Sequence, residues 1–110
     1  MDITGFRIDF DDIDWQHPLP GCRFKVAVRN KRQLRVLEFT REFVEPDWCA
    51  KAHSGIVLEG TLEIDFRGKT QIYPQGSGVS IPAGAEGAHK ARAISERVVL
   101  FLVEDLPPEA

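Results

Sequence analysis

Three observations predict an all-β domain, a sandwich or barrel. Apolar and charged residues alternate at period two, turn residues interrupt these stretches at short intervals, and almost no helical periodicity is present. The first twenty residues, MDITGFRIDFDDIDWQHPLP, form an acidic arm that is expected to be loose or accessory. The first strand follows the turn Pro18-Leu19-Pro20-Gly21, with Phe24, Val26 and Val28 on a dry face and Arg23, Lys25 and Arg29 on a wet one. Asn30-Lys31-Arg32 turns the chain. Glu59-Gly60 closes the stretch Ile56-Val57-Leu58, and Leu62, Ile64 and Phe66 then alternate with Glu63, Asp65 and Arg67. Further turns stand at Arg67-Gly68-Lys69, Pro74-Gln75-Gly76 and Pro82-Ala83-Gly84. The run Val98-Val99-Leu100-Phe101-Leu102-Val103 is apolar throughout, as a strand covered on both faces would be, either across the middle of the barrel or against a second subunit. Pro107-Pro108-Glu109-Ala110 reads as a loose end.

The 110 residues fit one domain, residues 1–110, with no internal repeat or linker. Fourteen Lys and Arg against 17 Asp and Glu give a net charge of −3, which offers no general attraction to nucleic acid or to an anionic membrane. The basic residues Arg23, Lys25, Arg29, Lys31, Arg32 and Arg35 are locally clustered, but their alternation with apolar residues reads as the wet side of strands. No apolar run approaches the ~18 residues of a membrane span, and the acidic N-terminus lacks the features of a secretory signal. A cytoplasmic protein is expected, with Cys22 and Cys49 as free thiols.

The stretch Glu45 to Gly60, EPDWCAKAHSGIVLEG, together with the later IPAG, resembles the two-part pattern of a small single-domain cupin over residues 23 to 104. The resemblance implies a double-stranded β-helix, the cupin jelly-roll barrel, with both parts of the pattern on strands lining a pocket. Placing the final Gly of the first part on Gly60 puts its His, His and Glu positions on Asp47, Cys49 and His53. The second part falls on Gly76, Pro82, Gly84, Gly87 and Ala91. All four metal-ligand positions of the pattern, Asp47, Cys49, His53 and Gly87, thus carry other residues. On this alignment Gly87→His would restore a pattern ligand.

Cys49 and His53 are nevertheless good ligands for a soft or borderline metal, and Asp47 offers a carboxylate oxygen. His89, two residues beyond Gly87, points to the same side in an extended chain. Cys49, His53 and His89, with Asp47, are therefore the candidate ligands for a divalent metal (Zn, Fe, Ni or Mn) beside a small molecule in the barrel pocket. The alternative is a metal-free ligand-binding or sensory module, with Cys49 a buried apolar thiol and both His hydrogen-bonded in the cavity wall. Four extended residues span about 13 Å, so Cys49 and His53 meet only if the chain bends between them. A Cys with a nearby His also suggests a nucleophile, but the sequence shows no orienting third group. His17 is expected at the surface, and Trp15 and Trp48 as core or subunit contacts rather than as the lining of a ligand cavity. A homodimer is expected from the apolar strand and from the habit of small cupins.

Overall fold

The structure, a computed structural model, describes residues 1–106, so the expectation for Pro107 to Ala110 lies outside the described residues. Nine antiparallel strands make an all-β jelly-roll barrel, with three single 3-10 turns and no α-helix among the described residues. The strands are β1 (Gln16–Leu19), β2 (Cys22–Arg29), β3 (Arg32–Thr40), β4 (His53–Glu59), β5 (Leu62–Phe66), β6 (Lys69–Tyr73), β7 (Gly78–Ile81), β8 (Lys90–Ala93) and β9 (Arg97–Asp105). Six of them form one sheet in the order β1-β2-β3-β9-β4-β7, and the other three form a facing sheet, β6-β5-β8. Among the described residues no helix is long and apolar enough to cross a membrane.

The hairpin turns have a direct backbone cause. Asn30 and Lys31 (φ 53° and 62°), and then Arg67 and Gly68 (φ 55° and 97°), put two successive residues at positive φ, the conformation that matches strand twist in a tight hairpin. Gly60, at φ 79°, is packed so closely that a Cβ would meet the carbonyl oxygen of Arg97. Only glycine satisfies both constraints.

β9 lies at the centre of the larger sheet, between β3 and β4. Its inward residues Val98, Leu100 and Leu102 meet Leu37 and Phe39 of β3 and Val57 of β4, and Leu62 and Ile64 close the core from the facing sheet. The outer face of β9 is covered by the chain's own N-terminal segment. Phe10 meets Phe101 edge to face at 6.2 Å, Lys25 Nζ donates to the Phe10 carbonyl at 2.8 Å, and Arg29 Nε donates to the Gly5 carbonyl at 3.1 Å.

Two expectations are corrected by this covering. The arm is not loose: residues 16–19 form β1 against β2, and residues 5–10 are tied to the sheet through backbone carbonyls. The basic side chains of β2 are not simply a wet face either, because Lys25 and Arg29 satisfy those carbonyls and Trp15 lies under Arg23 and Lys25. The alternation of β2 is weaker than its sequence suggests. Cys22 and Ala27 are buried, Phe24 and Val26 are half-buried, and Val28 is 51% exposed where the strand runs out beyond the core.

Candidate metal centre

The segment between β3 and β4 carries Cys49 into the smaller sheet. Cys49 N donates to His89 O at 2.9 Å and His89 N donates to Cys49 O at 3.0 Å, an isolated antiparallel pair just ahead of β8. Gly84 N donates to Ala50 O at 2.9 Å and pins the next residue. The chain then bends at Lys51 and enters the larger sheet at His53, which pairs with Ile81 of β7. Between Cys49 and His53 it therefore crosses from one sheet to the other, and the two side chains converge in the space between. Cys49 Sγ lies 3.5 Å from His53 Nε2.

His89 completes the group. Its ring stands 5.0 Å from that of His53, at 79°. The ligand atoms of Cys49, His53 and His89 all lie within 4.8 Å of one another. Asp47 is exposed on the loop and outside this cluster. His17 is exposed, and both cysteines are free. Trp48 is half-buried between Arg67 and Lys90, each 4.9 Å from its ring, and does not line the cavity.

Both imidazoles are oriented from behind. His53 Nδ1 donates to Glu104 Oε2 at 2.6 Å, and His89 Nδ1 donates to the Gly87 carbonyl at 2.8 Å. Each ring thereby keeps its Nε2 lone pair for the cluster. Glu104 is itself held, by Arg35 Nε at 2.6 Å, Arg35 Nη2 at 2.8 Å and Gln33 Nε2 at 2.9 Å. Burial works to raise the pKa of this carboxyl, but the hydrogen bonds from His53, Arg35 and Gln33 outweigh it and bring it down to about 2. Burial also pushes the His89 pKa down, aided by the nearby His53 and opposed by the bond to Gly87, so the neutral, ligating form is favoured.

The cluster faces a cavity of about 240 Å³. Its walls are largely apolar, with Leu37, Phe39, Leu62, Ile64, Leu100 and Leu102 among them, and Glu45, Arg35 and Lys51 add polar groups. Glu45 accepts from Ala91 N at 3.4 Å, and burial pushes its pKa up.

Glu104, Gln33 and Glu45 were not among the residues singled out from the sequence, and Arg35, expected on the wet side of its strand, instead points inward, where it pairs with Glu104 and lines the cavity. For Glu104 and Arg35 a signal was present. Glu104 continues the inward phase of Val98, Leu100 and Leu102, and Arg35 that of Leu37 and Phe39, so two opposite charges stand at interior positions of neighbouring strands. Gly87 is where the pattern resemblance misleads. A Cβ there would run into the carbonyl oxygen of Pro82 and approach the Ile81 side chain, so the position has no room for an added imidazole.

The donor set suits a divalent metal. Two neutral imidazoles and one thiolate match zinc, iron or nickel better than manganese, and each His has the second hydrogen bond that ligating His residues usually make. The 3.5 Å between Cys49 Sγ and His53 Nε2 is close to the ~3.6 Å that tetrahedral zinc would set between a sulfur and a nitrogen ligand.

Barrel, sheet order and inward-facing cluster together define a small domain of the cupin fold. Neither a protein-family profile nor a curated protein sequence matches the chain. Solved structures do. A cupin-2 domain containing protein from Shewanella frigidimarina is 27% identical over 96% of this chain and 100% of its own, with a TM-score of 0.66. KdgF from Halomonas sp. is 22% identical over 88% of this chain and 92% of its own, with a TM-score of 0.69. FeII HppE is 16% identical over 94% of this chain, with a TM-score of 0.71, and this chain spans only 62% of it. For several other similar structures it spans little more than half, 52% to 57%.

Proposed function

We propose that this cupin binds a divalent metal, zinc or iron(II), through Cys49, His53 and His89, and holds a small molecule in the adjoining cavity. The observation that carries the reading is the convergence of three ligand atoms within 4.8 Å. A hydrogen-bonded relay of thiol, imidazole and carboxylate would need only Cys49, His53 and Glu104, and would leave unexplained why a second imidazole places a ring nitrogen within 4.8 Å of the other two ligand atoms. A metal explains all three.

Bound there, the metal would supply a Lewis acid with a position open to water or ligand. The chain's own residues do the rest. Glu104 and Gly87 fix the two tautomers, Arg35 and Gln33 hold Glu104, and the apolar walls offer the ligand a largely apolar surface. A likeness to a protein whose iron(II) form is known agrees with this reading, as does the cupin fold. Dialysis of the purified chain against zinc, or anaerobically against iron(II), should leave one metal per chain in the wild type and none in His53→Ala. Equal, negligible metal in both would favour a metal-free ligand pocket.

A further inference from the structure

The chemical class of the small molecule can be taken further, on the footing of the metal reading above. The cavity is roomy for its apolar walls. Its volume is about 240 Å³, whereas an apolar cavity of about 150 Å³ accommodates benzene. Leu37, Phe39, Leu62, Ile64, Leu100 and Leu102 offer no hydrogen-bond partner to a polar body. A sugar or polyol would leave several hydroxyls unpaired there, at the cost of desolvating each.

The charges narrow the head group. A divalent metal with one thiolate and two neutral imidazoles carries one net positive charge. Arg35 adds none to this, because its Nε and Nη2 are both engaged with Glu104 and the pair is neutral. Glu45 lies in the same wall, and burial disfavours its charged form. Lys51, exposed yet lining the cavity, adds a cation at the rim. One anionic oxygen at the metal therefore balances the metal centre; Lys51 is solvated at the rim, so within the cavity a second anionic group would have to sit among leucines or beside Glu45.

We infer that the cavity takes a small monoanion with a single oxygen-bearing head, a carboxylate or an enolate-type oxygen, seated at the Cys49, His53 and His89 cluster. Its body is compact and apolar, roughly six to ten heavy atoms.

The test uses zinc-loaded protein and isothermal titration with four probes: benzoate, acetate, benzyl alcohol and terephthalate. Benzoate should bind at least about tenfold more tightly than acetate, which lacks the apolar body, and than benzyl alcohol, which lacks the charge. Terephthalate should bind more weakly than benzoate. Ala91→Leu, which narrows the cavity without touching a ligand, should keep one zinc per chain and weaken benzoate by about tenfold. The probe series on the wild-type chain decides the matter even if that variant does not fold. One zinc per chain with benzoate no tighter than acetate, or terephthalate as tight as benzoate, would overturn the inference and leave the metal centre standing. Failure to retain zinc would remove both.

Discussion

Two buried carboxylates stand on opposite faces of the same pair of strands. Glu38 on β3 faces out and Glu104 on β9 faces in, and they are 7% and 6% exposed. Each is held by cross-strand partners. Glu38 accepts from Arg23 at 3.0 and 3.1 Å and from Arg97 at 3.0 Å, and Glu104 accepts from Arg35, Gln33 and His53. Both pKa values lie below the usual carboxylate range, because these hydrogen bonds outweigh the opposing effect of burial. Burial, pairing and perturbed pKa therefore do not distinguish a structural ion network from a functional one. The difference lies in what the network holds. Glu38 ends on guanidinium groups at the barrel's exterior, whereas Glu104 ends on an imidazole whose other nitrogen faces a thiol, a second imidazole and a cavity.

Substitutions on the two faces should separate these roles. The largest effect is expected from His53→Ala, which should abolish stoichiometric metal, while Arg97→Ala on the outer face leaves the metal-to-protein ratio unchanged. Next, Glu104→Gln should weaken metal affinity by about 10- to 100-fold, the usual effect of losing a partner that orients a ligand. Glu38→Gln should change it by less than about twofold, although both cost stability on the order of 1–3 kcal/mol. Competition against a chromophoric chelator measures the affinities and urea unfolding the stabilities. Equal affinity loss on both faces would erase the distinction.

Acid should act through the inner face as well. The folded pKa of Glu104, about 2, lies below its ordinary 4.5, so its contribution is fully present above pH 4.5 and is lost as pH falls toward 2. The full linkage is on the order of 3 kcal/mol. His89, with its pKa lowered from 6.5, begins to cost stability just below that pH, because the unfolded chain takes up the proton first. Glu45 works in the opposite direction, since its raised pKa favours the folded state under acid. Unfolding of metal-free protein between about pH 6.5 and 3 should therefore show stability falling with acid, and less steeply in Glu104→Gln. Identical slopes would mean that Glu104 is not the titrating group.

The smallest effect tests the closed Gly87 position. Gly87→Ala should destabilise the chain by about 1–3 kcal/mol through overpacking against Pro82. Gly87→His should lower stability further rather than tighten metal binding. Tighter metal in a stable Gly87→His protein would show that the loop yields more readily than its packing suggests.

The barrel was legible because its cues are local. Period-two alternation places Leu62 and Ile64 in the core, the apolar run marks β9 as central, and residues such as Asn30 and Gly68 set the hairpins. The cover over Phe101 was not legible. Phe10 and the carbonyls of residues 5 and 10 act through tertiary contacts that the acidic composition of the arm conceals. Of the site, Cys49, His53 and His89 could be picked out by residue type, but their meeting depends on a crossing between sheets that no spacing reveals. Asp47 shared their spacing and falls outside the cluster, because the loop turns it to solvent before the crossing. Glu104 could have been found from phase alone, as a charge in step with the inward residues of an apolar strand.

Cobalt(II) substitution tests the central claim most directly, since one spectrum reports stoichiometry, geometry and the sulfur ligand together. The wild-type chain should take up one cobalt and show ligand-field bands of a low-symmetry four-coordinate site with a thiolate-to-cobalt charge-transfer band in the near ultraviolet. Cys49→Ser should lose the charge-transfer band, and Cys22→Ser should keep it. No bound cobalt, or bound cobalt without a charge-transfer band that depends on Cys49, would contradict the assignment of Cys49, His53 and His89 as a metal centre.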